Sequence, residues 1–300
     1  MGGVLRVIIL DLLVERSEFG HGGNQEIIAP LAEELELEVL LLTPQMQSSE
    51  VGEESQKQGV VKLAEKDVPG WDYEFPFWEE AELGVSGNKV TFRRIAMPLH
   101  GNDELTKDWI SRIRPSAVVC SGSRRNVSIW EEWMGGAESL LRCSAKMGIP
   151  TLGICFGHQL LCHSLGSLVE RAETMSSGVW DVELTQSGES DILFSSRRSG
   201  NGGSPVALYS HQDHVMTVPE CCTLLGSAKH NVVTAVRVND EMGLDLPAWG
   251  VQFHPEAAKA RVERAFGWGH ITKEELDSFK REHDGAGVLK SFASVVLSNH

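Results

Sequence analysis

The stretch VLRVIILDLLV (4–14), apolar but for Arg6 and Asp11, constrains this chain more than any other feature. A strand that is wet on one face alternates apolar with polar residues. A nearly continuous apolar run needs cover on both faces, as in a parallel sheet flanked by helices. RVIILDLLV (6–14) is therefore expected to be a buried strand, and the residues after it supply the cover. GHGGNQEIIAPLAEEL sets Ile27, Ile28, Leu31 and Leu35 at helical spacing, with Asn24 as the expected N-cap and Glu33 and Glu34 outside. LEVLLLTP (37–44) returns as a strand. Strand, helix, strand in that order predicts an α/β fold with a mostly parallel central sheet flanked by helices.

Residues 45–90 interrupt this rhythm. QMQSSEVGEESQKQG is polar and WDYEFPFWEEAELGVSG is aromatic and acidic, so the segment reads as an insertion. A flap over a cleft and a peripheral surface excursion both stay open. The alternation then resumes: LTKDWISRI as a helix, SAVVCSG (116–122) as a buried strand, ESLLRCSAKM as a helix, IPTLGIC (149–155) as a strand and GHQLLCHSLG as a helix. From about residue 178 strand-like segments follow, VWDVELT, SPVALYS, CTLLGSA, VVTAVRV and PAWGVQF, with SSRRSGNGGSP (195–205) as a loop or hairpin tip. A closing helix is expected at 286–299. No repeat or linker divides the chain, so residues 1–300 are expected to form a single domain.

Charge narrows the partners. The net charge of −15 disfavours nucleic acid and anionic membrane, and the pairs Arg93–Arg94, Arg124–Arg125 and Arg197–Arg198 lack interleaved aromatics. No run approaches 18 uninterrupted apolar residues, and no secretory leader is evident. The six cysteines, at 120, 143, 155, 162, 221 and 222, lie in apolar or helical surroundings and do not form the pattern of a small disulfide scaffold. A reducing cytoplasm is the expected setting.

GICFGHQL (153–160) carries the chemistry. A strand ends at Ile154 and a helix begins near Gly157, so Cys155 falls in a sharp strand-to-helix turn with Gly153 and Gly157 relieving the crowding around it. This is a nucleophile elbow with Cys in place of Ser. The helix that follows aims its free N–H groups and positive dipole end at the sulfur, which favours thiolate.

GICFGHQL resembles the nucleophile motif of the class I glutamine amidotransferases, and VQFHPE (251–256), about 100 residues downstream, resembles that family's second signature. The resemblance covers about residues 113–260 and implies a flavodoxin-like architecture. It assigns Cys155 as nucleophile, His254 as general base and Glu256 as the residue that orients the imidazole, a Cys-His-Glu triad. It also implies an oxyanion hole made by the backbone N–H groups of Ser123 and Phe156. The substrate pocket it implies contains Gly122, Gln159, His211 and Gln212, the last two from YSHQDHV (209–215). One departure stands out. SGSRRNVS (121–128) has Ser123 and Arg124 where the family usually has Gly and Pro, a sequence closer to free-standing members such as plant-type γ-glutamyl peptidases.

The implied reaction is hydrolysis of a γ-glutamyl amide through a γ-glutamyl thioester, with glutamine as substrate, no cofactor and no metal. No GxxxxGKS/T string or pyrophosphatase-type phosphate loop is seen, so a separate synthetase subunit is the expected consumer of ammonia. Stand-alone hydrolysis of γ-glutamyl peptides is the alternative. The intact Cys155, His254 and Glu256 argue against a silent binding member. Two other chemistries compete. His211, Asp213 and His214, or His158, Cys162 and His163, have the look of metal ligands but lack zinc-site spacing. An α/β-hydrolase would need its acid before His254, as at Asp213 or Asp245, whereas Glu256 follows it.

Overall fold

The computed structural model describes residues 4–13, 17–44, 74–76, 81–82, 88–97, 101–196 and 203–300. It opens with β1 (Leu5–Leu10), α1 (Ser17–Ala32) and β2 (Leu37–Thr43), and the two strands pair in parallel with Val7 opposite Val39. Alternate residues of β1 enter different cores. Leu5, Val7 and Ile9 pack with Ile27, Ile28 and Leu31 of α1, while Ile8 and Leu10 join a second core. Both faces are covered, which is why the run shows no polar alternation.

Asn24 corrects the sequence expectation. It lies inside α1 rather than capping it, and its buried Nδ2 donates to Asp11 Oδ1 at 3.2 Å. The helix starts at Ser17, ahead of its apolar stripe, and so takes in glycines of low helix propensity.

The insertion contributes β3 (Glu74–Pro76), β4 (Ala81–Glu82) and the start of β5 (Lys89–Ala96). β5 runs parallel to β2, and β3 and β4 pair antiparallel to β5. The rest of 45–90 lies outside the described residues, and with it the choice between flap and excursion. α2 (Asp103–Ile113), β6 (Ala117–Cys120), α3 (Trp133–Lys146), β7 (Thr151–Ile154) and α4 (Phe156–Ser164) continue the winding, with β6 parallel to both β1 and β7.

The second half holds β8 (Val169–Asp181), β9 (Glu183–Leu184), α5 (Gln186–Ser190), β10 (Val206–Val215), β11 (Cys222–Ala228), β12 (Asn231–Asn239) and β13 (Asp245–Val251). The sheet order is β3-β5-β2-β1-β6-β7-β13-β12-β11-β9. β13 returns parallel to β7, and β12, β11 and β9 extend that side antiparallel. β8 and β10 form a separate ribbon with an irregularity between His211 and Asp213. Extended structure thus begins at Val169, earlier than expected, because β10 supplies the pairing that a mostly exposed β8 lacks in apolar residues. Two short helices the sequence did not announce follow, α6 (Lys259–Gly267) and α7 (Lys273–Ser278). α8 (Gly285–Asn299) packs Val288, Leu289, Phe292 and Val296 into the core shared with α1.

The sheet is mostly parallel at its centre and flanked by helices, and β6, β7 and β13 sit side by side within it. In open α/β sheets the carboxyl ends of such strands are where ligands bind. Here those ends lead into Gly122, Cys155 and His254.

Candidate active site

Cys155 sits between β7 and α4 with φ 50° and ψ −102°, and Arg114 is the only other non-glycine with positive φ among the described residues. Such a conformation costs on the order of 1–3 kcal/mol and persists only where the surroundings enforce it. Here Cys155 N donates to Val251 O of β13 at 2.8 Å, and the glycines let the elbow close. A Cβ on Gly157 would lie 2.2 Å from Cys120 O, and one on Gly153 would lie 2.5 Å from Gly157 O. Each glycine permits contact of main chain with main chain. Cys155 is 5% exposed, and its Sγ lies 3.7 Å from Ser210 O.

His254 follows β13 and is held by its N–H, which donates to Leu208 O at 2.8 Å. Its Nδ1 donates to Glu256 Oε1 at 2.9 Å, which leaves Nε2 uncommitted to that carboxylate, with Cys155 near enough for its charge to act on the ring. Burial pulls the His254 pKa down, but the charges of Cys155 and Glu256 outweigh it and hold the value well above the ordinary one. Burial likewise pushes Glu256 up, and His254 and Arg261 together bring it below the usual carboxylate value. Gly122 is the floor of this pair: a Cβ there would come within 2.9 Å of His254 Cε1 and 3.9 Å of Cys155 Cβ.

The remaining residues singled out in the sequence converge on the same pocket, of about 400 Å³. Neither the Ser123 nor the Phe156 N–H is engaged by another main-chain group among the described residues. Ser123 Oγ accepts from Arg125 N at 3.0 Å and so shapes its own loop. Gln159 lines the pocket but is buried, and its Nε2 donates to Asp213 O at 2.8 Å and Gln252 Oε1 at 3.1 Å. Its amide nitrogen is thus spent within the protein, and only Oε1 is left for a ligand. Gln212 lies at the ribbon irregularity, with Nε2 donating to Ala172 O at 2.9 Å and Oε1 accepting from Arg171 at 2.7 Å. His211 donates from Nδ1 to Asp213 O at 3.0 Å, and its Nε2 has no partner among the described residues. Burial lowers the His211 pKa to about 3, so the ring stays neutral.

The competing chemistries find other geometry. Asp213 accepts from Ser128 N at 2.8 Å and Ser128 Oγ at 2.9 Å, and Asp245 pairs with Arg237, so neither serves His254. His158 donates to Val233 O, and His163 is bound to Glu138. No group of His, Cys, Asp and Glu among the described residues is placed to hold a metal ion. Sequence reasoning missed the second wall of the pocket, Arg261, Val262, Ala265, His270, Ile271, Glu275 and Phe279, carried by α6, α7 and their flanks. An arginine five positions after Glu256 gives no warning in the sequence that it is buried.

Comparison with known proteins bears on this geometry. The class-I glutamine amidotransferase family model matches residues 82–265. The GMP synthase (glutamine-hydrolyzing) of Clostridium kluyveri is 33% identical over 149 residues, 50% of this chain and 26% of that protein. The protein of the same description from Lactococcus lactis subsp. cremoris is 33% identical over 153 residues, 51% of this chain and 26% of its own length. The chain therefore spans about a quarter of these relatives. A glutamine amidotransferase structure from Thermotoga maritima superposes with a TM-score of 0.55 at 16% identity, covering 99% of each chain. The glutaminase domain of Trypanosoma brucei CTPS with bound acivicin gives 0.54 at 14% identity, over 99% of this chain and 94% of that one. These two likenesses speak for the fold. With the family model spanning more than half of its length, the chain belongs to the class I glutamine amidotransferase family.

Proposed function

We propose that the protein hydrolyses the side-chain amide of glutamine at Cys155. The observation that carries this is the strained Cys155 elbow sharing one pocket with a His254 whose Nδ1 is fixed by Glu256 at 2.9 Å. The Cys155 proton passes to His254 Nε2 as sulfur bonds to the amide carbon. The oxyanion is received by the N–H groups of Ser123 and Phe156, and such a donor is worth about 10²–10³ in rate. The carbon–nitrogen bond then breaks as His254 protonates the departing ammonia, leaving a γ-glutamyl thioester. Water gives a proton to His254 and attacks the thioester, and release of glutamate returns the thiol. The ammonia is delivered to a separate synthetase subunit, in keeping with relatives of which this chain matches 26%.

One observation favours a second substrate. Arg124, Arg125 and Arg171 line the pocket beyond the triad, more cationic surface than release of ammonia needs, and they suit a γ-glutamyl peptide with an acidic leaving group. Purified protein with glutamine or with γ-glutamyl dipeptides, beside a Cys155→Ala control, tests both. Cys155-dependent glutamate release from glutamine, stimulated by an acceptor enzyme, is the expected result. Turnover of dipeptides well above glutamine would transfer the assignment to a peptidase. No Cys155-dependent turnover of either would remove both.

A further inference from the structure

Arg261 is a buried cation that the mechanism above does not use. It is 4% exposed, and burying a charge is costly unless something compensates it. Its Nη1 lies 3.7 Å from Glu256 Oε1 and donates to Glu256 O at 3.3 Å, so one guanidinium grips both ends of the same residue. The far side of the guanidinium meets α1. A Cβ on Gly23 would lie 2.7 Å from Arg261 Nη2, and one on Gly22 would lie 3.9 Å from Nε. Two adjacent glycines inside a helix are unfavourable, and a packing reason is expected where they persist. Here they leave the room the guanidinium fills.

We propose that Arg261 is a positioning residue for the reaction, seated in a socket formed by Gly22 and Gly23 and fixing the Glu256 carboxylate where it can orient His254. The proposal rests on the triad reading given above. Glu256 Oε2 has no hydrogen-bond partner among the described residues, so beside the His254 ring on Oε1 the Arg261 cation, 3.7 Å from that oxygen, adds to what keeps this buried carboxylate ionised. The other charged or titratable groups acting on the cluster are Glu26 of α1, Arg264 of α6, Cys155 at the elbow and His211 of β10. Arg261 thus couples the first helix of the chain to the last member of the triad.

The sign of its effect follows from electrostatics. Removing a positive charge favours the protonated form of every neighbour, so the acidic limb of the pH–rate profile must move upward. For Arg261→Met the expected shift is about one pH unit, with kcat/KM down about 10- to 100-fold and KM little changed. Arg261→Lys keeps the charge and restores the limb while recovering only part of the rate. Gly23→Ala leaves Arg261 in the chain but intrudes on its socket, and is expected to move the limb the same way by a smaller amount.

Each profile is measured twice, by glutamate release and by iodoacetamide alkylation of Cys155 read by peptide mass spectrometry. The alkylation profile reports the Arg261 effect even if glutamine is not the substrate, so failure of the substrate assignment and failure of this proposal are separable. Arg261→Met and Gly23→Ala proteins that fold and keep the wild-type limb in both profiles would overturn it. If Arg261→Met does not fold, an unmoved limb in Gly23→Ala together with no rate loss in Arg261→Lys overturns it equally.

Discussion

His254, just beyond β13, and His211, on β10, both line the pocket that holds Cys155, and both are largely withdrawn from water. Burial depresses each imidazole. His211 bonds only a neutral carbonyl, Asp213 O, and falls to about 3, whereas His254 lies beside Cys155, bonds Glu256 and rises well above 6.5. Burial alone therefore does not decide whether a histidine near a thiol can carry a proton. The opposite charges beside it do, Cys155 first and Glu256 with it, because an unpaired charge in a low-dielectric site is unfavourable and a compensated one is not.

The sharpest test of that contrast is to remove His254. His254→Gln is expected to lower kcat/KM by about 10³–10⁴-fold, the size of a full general acid–base contribution. A variant that keeps a tenth of wild-type activity would dissolve the distinction. Next, Glu256→Gln should make His254 behave more like His211, with a loss of about 10²-fold and an imidazole titration that moves downward, followed by NMR of the ring Cε1 protons. An unmoved titration would mean that the carboxylate is not the source of the difference.

The two histidines also make opposite predictions for stability. His254 has a raised folded value, so its contribution is complete below its unfolded value of 6.5 and fades as pH rises through the folded one. His211 is depressed to about 3, so its stability is complete above 6.5 and is lost as pH falls from there towards 3. Between pH 7 and pH 5 this single group accounts for at most about 2 kcal/mol, at 1.36 kcal/mol per pH unit below 6.5. Urea denaturation at the two pH values should show that loss reduced in His211→Gln, and an unchanged loss would contradict it. The smallest effect is kinetic: because His211 stays neutral, His211→Gln should cost less than about tenfold in kcat/KM and leave the pH profile in place.

The readable parts of the chain are those whose signal is local. β1 was legible because all its residues but Arg6 are apolar and enter one core or the other. Cys155, His254 and Glu256, singled out by the short motifs around them, lie in one pocket, and the local part of that geometry is set by strand ends and a tight turn. β8 was not legible before about residue 178, since most of its residues face solvent and its stability comes from β10. α6 and α7 escaped for a related reason: in α6 only Arg261 and Ala265 are buried, and in α7 nothing is, so neither presents an apolar stripe. Asn24 was misplaced because Asn is a good N-cap in isolation, and its actual partner, Asp11, lies at the end of a strand it does not touch in sequence.

By itself the sequence determined the layered α/β character and the tight strand-to-helix turn at Cys155, since these follow from periodicity and short-range turn chemistry, while His254 and Glu256 were marked by the resemblance of their motif to a known family. Tertiary structure alone decided which histidine could be charged, that Gln159 spends its amide nitrogen inside the protein, and that Arg261 stands behind Glu256. Those outcomes depend on burial and on distances between segments that only packing brings together, and electrostatic energies in a low-dielectric interior are set by such distances rather than by residue type.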